Sequence, residues 1–297
     1  MRLCAFALCM MLTGIQVSEV AARQVRIDGS STVYPITNGV KAYFLKFNKD
    51  VSVDLAISGT GGGFERFAKG QIDIANASRV PKRAEIDAMT QNGVRYYPIP
   101  VAFDGISIVV SKENTFAQDI TVAELKRLWE PGSQIKTWKD IRVQWPARPI
   151  KLYGPGHSSG TYDYFAEAVV GQGATRDDYV ASEDDEELVQ DIINDPNGMA
   201  FFGFSYYSKH KDELRALAID SGRGPVMPSF DSIAERSYLP LSRTLYIYVN
   251  RDSLEKTEVK EFVAFYLKMA YNFTRAAGYV PYPPKHYTDV SAGLSGR

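Results

Sequence analysis

Cysteine is nearly missing from this 297-residue chain: there are two, Cys4 and Cys9, both within the first ten positions. A cysteine-ligated metal site or a disulfide framework in the body of the protein is thereby excluded. An excess of either charge is missing too, since 34 basic and 35 acidic side chains leave a net charge of −1. Nucleic-acid and membrane-surface binders carry a basic excess or patch, so neither partner is expected. The opening apolar run, Leu3 to Leu12, is too short to span a bilayer. What is present is ordinary: 45% hydrophobic and 23% charged residues describe a globular protein rather than a disordered, collagenous or coiled-coil one. The length suits about two domains.

The first 22 residues read as an address. Arg2 is a minimal positive start, Leu3 to Ser18 carries no charge, and Val20-Ala21-Ala22 offers small residues for cleavage after Ala22. No Leu-x-x-Cys marks a lipid attachment point. The expectation is a cleaved signal peptide over 1–22 and a thiol-free, exported, periplasmic chain.

Beyond Ala22, short apolar runs alternate with amphipathic helices, the signature of α/β architecture. Val25 to Ile27, the alternating Val51, Val53, Leu55 and Ile57, Ile106 to Val110, Ile150 to Tyr153 and Leu245 to Val249 read as strands. Ile36, Val40, Tyr43, Phe44 and Phe47 share one helical face, as do Val259, Phe262, Val263, Tyr266, Leu267, Ala270 and Phe273. Thr121-Val-Ala-Glu124 is a capping box, and a further helix is expected from about Thr161 to Val170. The acidic run Glu183 to Glu187 after Ser182 reads as a solvated helix start with Ser182 as its cap. Phe201 to Phe204 with Tyr206 and Tyr207 reads as core. Pro281 to Pro284 reads as a surface tail.

Three loops each join a strand to a helix: Asp28-Gly-Ser-Ser-Thr32, Ser58-Gly-Thr-Gly-Gly-Gly63 and Gly154-Pro-Gly-His-Ser-Ser-Gly-Thr161. Glycine lets backbone approach a ligand, Ser and Thr add hydroxyl donors, and the helix N-terminus adds free N–H groups and a positive dipole end. Together they suit a small oxyanion. Arg79 offers bidentate hydrogen bonds to its oxygens. Asp73 would repel a dianion unless it accepts a proton from it. Monohydrogen phosphate has such a proton and sulfate does not, so a buried acceptor there would discriminate.

Gly29-Ser-Ser-Thr-Val-Tyr-Pro35, Ser58 to Gly63, Ile72-Asp-Ile-Ala-Asn-Ala-Ser-Arg79 and Ser159-Gly-Thr161 closely resemble the phosphate-binding protein family of the bacterial ABC phosphate importer. The resemblance implies a two-lobed periplasmic solute-binding fold of α/β class, with two crossover strands and phosphate held in the cleft. Crossings are expected near Val101 to Gly105 and Ser242 to Leu245, giving lobe one as 23–102 plus 245–297 and lobe two as 103–244. It also implies a monomer without catalysis, metal or cofactor that delivers phosphate to membrane permease subunits. Carried over by position, the phosphate ligands would be Ser31, Thr32, Val33, Ser58, Asp73, Ser159, Gly160 and Thr161. Many members place an Arg four residues before the Ser-Gly-Thr and an Asp two before it. This chain has Pro155 and His157 there, so Arg79 is expected to supply the charge ahead of Arg66 and Arg243.

Two alternatives stand beside this reading. Gly156-His-Ser-Ser-Gly160 is a literal Gly-x-Ser-x-Gly, which would make Ser158 a hydrolase nucleophile with His210 or His286 as base. The same fold could also take another tetrahedral oxyanion, and arsenate carries the same proton as phosphate.

Overall fold

The computed structural model describes residues 23–157, 159–171, 173–182 and 184–295. The signal-peptide expectation for 1–22 lies outside them, as do Ser158 and Glu183. Three βα units come first: β1 (Arg23–Gly29) with α1 (Tyr34–Phe47), β2 (Val51–Leu55) with α2 (Gly59–Ala68), and β3 (Ile74–Ala77) with α3 (Arg83–Gln91). A long strand, β4 (Tyr96–Ser111), leads to β5 (Asp119–Thr121), α4 (Val122–Trp129) and α5 (Trp138–Ile141). β6 (Lys151–Pro155) feeds α6 (Gly160–Phe165), which runs on into a π-helical turn over Ala166–Val170. Next come β7 (Val180–Ser182), α7 (Asp185–Asn194), β8 (Gly198–Gly203), α8 (Phe204–Lys209) and β9 (Leu214–Ala216). β10 (Ala218–Asp220), β11 (Pro225–Val226) and α9 (Phe230–Ala234) precede a second long strand, β12 (Ser242–Asn250). α10 (Thr257–Ala276), β13 (Val280–Pro281) and α11 (Pro284–Ser295) come last.

The strands order as β2-β1-β3-β12-β4-β8-β6-β7. β1 runs parallel to β2 and β3, and β6 runs parallel to β7 and β8. Between these halves β4 and β12 lie antiparallel, paired from Asn250 on Tyr96 to Ser242 on Gly105 with one register shift between Leu245 and Tyr246. Each half has its own apolar core. Ile27, Val40, Phe44, Phe262 and Tyr266 belong to one, and Ile108, Trp129, Trp138, Phe165 and Phe201 to the other. Ala102 packs in the first and Phe103, the next residue, in the second. A strand covered on both faces needs no polar alternation, which is why Ile106 to Val110 reads as a continuous apolar run. The carboxyl ends of β1 and β3 belong to one half and that of β6 to the other. In open α/β sheets ligands gather at such carboxyl ends.

Local signals became the expected elements. Thr121 Oγ1 accepts from Glu124 N (3.1 Å) and Glu124 Oε2 from Thr121 N (2.8 Å), closing the capping box of α4. α10 buries Val259, Phe262, Val263, Tyr266, Leu267 and Ala270, and Phe201 and Phe202 are core. The acidic segment does start a helix, α7, although its cap is Asp184 rather than Ser182. Asp184 Oδ1 accepts from Glu186 N at 2.9 Å, and Ser182 Oγ in turn accepts from Asp184 N at 3.0 Å. Phe47, read as part of the buried face of α1, is 67% exposed because it ends the helix beyond the core.

The Pro281 to Pro284 segment is not a surface tail. Pro281 pairs with Ala102 on β4, and the Tyr282 ring lies 4.2 Å from that of Phe103. Tyr287, buried on α11, donates its hydroxyl to Val101 O at 2.7 Å. Proline without an N–H suits both a strand end and the first position of a helix, where no ladder donor is needed. The last helix therefore clamps the crossover strand. Tyr287→Ala should cost about 3–5 kcal/mol of stability and Tyr287→Phe about 1 kcal/mol, read as the shift of the urea-unfolding midpoint.

Candidate functional site

A cavity of about 260 Å³ lies where the two halves face each other. From the first half come Ser30, Ser31 and Thr32 after β1, Gly59 to Gly61 at the start of α2, and Ser78, Arg79 and Lys82 after β3. From the second come Gly160, Asp163 and Tyr164 on α6 and Glu167 in the π turn, while Arg243 comes from β12.

The β1 loop is pinned before it reaches the cavity. Gly29 has φ +135, and a Cβ there would stand 2.2 Å from Asn76 O, so only glycine lets β1 lie this close to β3. Ser30 N then donates to Asn76 O at 3.0 Å, and Tyr34 N to Ser30 O at 3.1 Å. That leaves the Ser31 and Thr32 hydroxyls at the mouth of α1. In the second loop Thr60 Oγ1 accepts from Ser78 N at 3.1 Å, tying the α2 start to the end of β3.

Gly160 is where the halves touch. A Cβ on it would sit 2.7 Å from Thr32 Oγ1 and 3.1 Å from Ser31 Oγ. Arg243 spans the same junction. Its Nη2 donates to Thr32 Oγ1 at 2.8 Å and to Gly160 O at 3.3 Å, and its Nε to Asp104 at 3.1 Å. The guanidinium lies 3.7 Å over the Tyr164 ring. Burial pushes the Asp104 carboxyl up, with Arg243 opposing the shift.

Of the residues expected from sequence, Ser31, Thr32, Arg79 and Gly160 line the cavity. Ser159 and Thr161 flank Gly160, and the Ser159 Oγ caps α6 by accepting from Thr161 N at 3.1 Å. Val33 is buried in the core with its side chain, leaving only its backbone for the site. Ser58 is exposed and does not line the cavity; its Oγ lies over Gly62, and Gly59, Thr60 and Gly61 stand in its place. Arg66 pairs with Asp28 at 2.8 Å, outside the cavity.

Asp73 is a correction. It precedes β3 whereas Ser78 and Arg79 follow it, which separates them by about 15 Å of extended chain. Its buried carboxylate accepts from Lys256 Nζ, Ser253 Oγ and Arg26 N, each at 2.8 Å. Burial pushes this carboxyl up, yet the Lys256, Arg26 and Ser253 donors together hold it below its ordinary value. It ties β3 to the turn before α10 and takes no part in the cavity.

Arg79 reaches the cavity already paired, both its terminal nitrogens donating to Glu85 at 2.8 Å. The second guanidinium is Arg243, which sequence reasoning placed behind Arg79. Asp163 and Glu167 were not singled out at all; their spacing of four on one helical face was the available signal. Burial raises the Asp163 carboxyl and Glu167 repels its charge, while Arg243 and His157 work the other way. The cavity thus offers hydroxyl and N–H donors, two guanidinium groups, the Lys82 ammonium and two carboxyl groups. That set fits an oxyanion carrying a proton.

The hydrolase alternative finds no support here. Ser158 lies outside the described residues. His210 stands between Glu186 (3.0 Å) and Glu213 (2.9 Å), and the His286 ring meets Pro100 O at 2.9 Å. Neither lines the cavity. Among the described residues no cluster of His, Cys, Asp and Glu is arranged to hold a metal ion, and no helix is long and apolar enough to cross a membrane.

Residues 16–268 match the PBP superfamily domain. The chain is similar to Protein SphX of Synechococcus elongatus, 45% identical over 92% of this chain and 82% of that one. It is 38% identical to the phosphate-binding protein PstS of Staphylococcus saprophyticus, over 91% of this chain and 84% of that one. A solved structure, a possible phosphate binding protein from Planctomyces limnophilus, superposes with a TM-score of 0.88 at 34% identity, covering 93% of this chain and 98% of the other.

Asp73→Asn tests the structural role of that carboxylate. It should cost about 1–3 kcal/mol at pH 7, less than a fully buried pair because Lys256 is part exposed. A depressed carboxyl stabilises the fold above its unfolded value, about pH 4, and that gain is lost as pH falls through the folded value. The deficit of the variant should therefore shrink in acid, while anion affinity at neutral pH stays that of the parent. Unfolding curves at pH 7 and pH 3, with calorimetric titration, read both.

Proposed function

As a member of the PBP superfamily alongside the PstS phosphate-binding proteins, this chain is a non-catalytic substrate-binding protein, and we propose that its substrate is inorganic phosphate. The observation that carries this is the junction of Ser31, Thr32 and Gly160 around the Arg243 guanidinium, donors from both lobes converging on one cavity. Lobe one, 23–102 with 245–297, supplies the hydroxyl loops and Arg79. Lobe two, 103–244, supplies Ser159 to Thr161 at the start of α6. Neither makes the whole shell, so the anion favours the closed state through contacts that exist only there. The exported monomer then passes phosphate to the permease subunits of an ABC importer.

Asp163 replaces Asp73 as the group that meets the proton of the anion. Beside Glu167 on the cavity wall, its carboxyl can accept a monohydrogen phosphate O–H and repels an oxyanion without one. Sulfate has no proton to offer that acceptor and adds only like charge beside it.

Calorimetry decides the reading. Tight 1:1 binding of phosphate with little heat from sulfate near pH 7 is expected; comparable binding of both, or of neither, would sink it. Gly160→Ala pushes a methyl into Thr32 and should weaken phosphate by about tenfold or more without lowering the melting temperature. Asp163→Asn removes the repulsion and adds a donor, so the preference for phosphate over sulfate should fall by about tenfold or more.

A further inference from the structure

A second chamber of about 360 Å³ opens from the first. The two share Ser78, Arg79, Tyr164, Glu167 and Arg243, so one ligand can occupy both. The chamber persists although the lobes already meet at Gly160 and Thr32. A cleft shaped for a bare tetrahedral anion has no need of it.

Its far wall has three unusual features. Ala168 lies in the π-helical turn that ends the helix after Phe165, and such turns concentrate at functional sites. Arg236 has φ 58, a left-handed backbone that non-glycine residues seldom adopt. Ser242 is only 4% exposed and its Oγ has no hydrogen-bond partner among the described residues, a state that costs stability unless a ligand group meets it.

The charges narrow the class of ligand. Arg79 is paired with Glu85 and Arg243 with Asp104, which leaves Arg236 and Glu167, of opposite sign, on the chamber. Near-neutral walls with the Tyr164 and Tyr246 rings and a free hydroxyl suit an uncharged hydroxylated group better than a second phosphoryl group. We propose that the cleft also accepts phosphate monoesters with a small hydroxylated substituent, the phosphoryl group among Ser31, Thr32 and Gly160 and the substituent in the chamber toward Ser242 and Arg236. This rests on the phosphate reading above.

Calorimetric titration of the protein with sn-glycerol 3-phosphate, inorganic phosphate and each in the presence of the other tests it. The monoester should bind within about tenfold of phosphate and be displaced by it. Ala168→Phe fills the chamber and should weaken the monoester by about thirtyfold while phosphate stays within about twofold. Arg236→Gly suits the left-handed backbone and provides a second variant, expected to weaken the monoester alone by about threefold to tenfold. Phosphate binding with the monoester weaker by about a thousandfold overturns this proposal and leaves the phosphate reading standing. So does a monoester that phosphate fails to displace, or variants that weaken both ligands equally. Silence toward both ligands overturns the phosphate reading itself.

Discussion

Arg243 sits on a crossover strand and touches both lobes: Thr32 on one side, Gly160 on the other, Asp104 behind and the Tyr164 ring beneath. A guanidinium can do this because its donors lie in one rigid plane whose face still stacks on an aromatic ring. Asp104 is buried and raised by desolvation, so removing its partner would strand a carboxylate in the hinge. One positive charge of the cavity is thereby built into the segment that joins the lobes. The β1 loop and the start of α6 both meet it directly. The β1 loop presents Thr32 to one guanidinium nitrogen, and α6 presents the Gly160 carbonyl to the same one.

The strands, the main helices and the glycine loops were legible because their signals are local. Period, capping box and glycine punctuation each act within a few residues. The Arg243 role was not, because its partners stand 211 and 83 residues away in the chain and only the closed topology brings them together. Asp73 was misread for a different reason. The run Asp73-Ile-Ala-Asn-Ala-Ser78-Arg79 puts polar groups at both ends of a short strand, and motif resemblance does not say which end meets the ligand. Strand polarity does, since parallel strands of an open sheet present their carboxyl ends to the cleft. By that rule Ser78 and Arg79 belong to the site and Asp73 to the opposite edge, where Lys256 neutralises it.

The glycines of the three loops divide in a way their spacing conceals. A Cβ on Gly63 would lie 2.7 Å from Gly29 Cα, so this pair exists to press α2 against the end of β1. Gly160 instead meets the hydroxyl groups of the opposite lobe. Gly59, with φ +75 and open space around it, serves the turn alone. Packing, closure and turn geometry all select glycine, and a Gly-rich loop read from sequence counts them together. The C-terminal prolines pose the same ambiguity. They mark a docked strand and a helix start, and only the Tyr282 and Tyr287 contacts with the crossover strand distinguish that from a tail.

The two carboxylates in an anion cavity follow from the same accounting of charge. Asp163 and Glu167 lie four apart, an arrangement that is repulsive on a helix when both are ionised, and desolvation works on Asp163 in the same direction. With Arg79 held by Glu85 and Arg243 by Asp104, neither guanidinium is free to neutralise them fully, and Lys82 is the other cation on the wall. An oxyanion that brought charge alone would add to this repulsion. One that brings a proton relieves it, because a hydrogen placed between its oxygen and Asp163 turns the repulsive contact into a hydrogen bond to an ionised acceptor, among the stronger kinds. On the proposed reading, the acidic wall that opposes anions in general is the feature that would select among them, since the guanidinium groups are already committed to the protein.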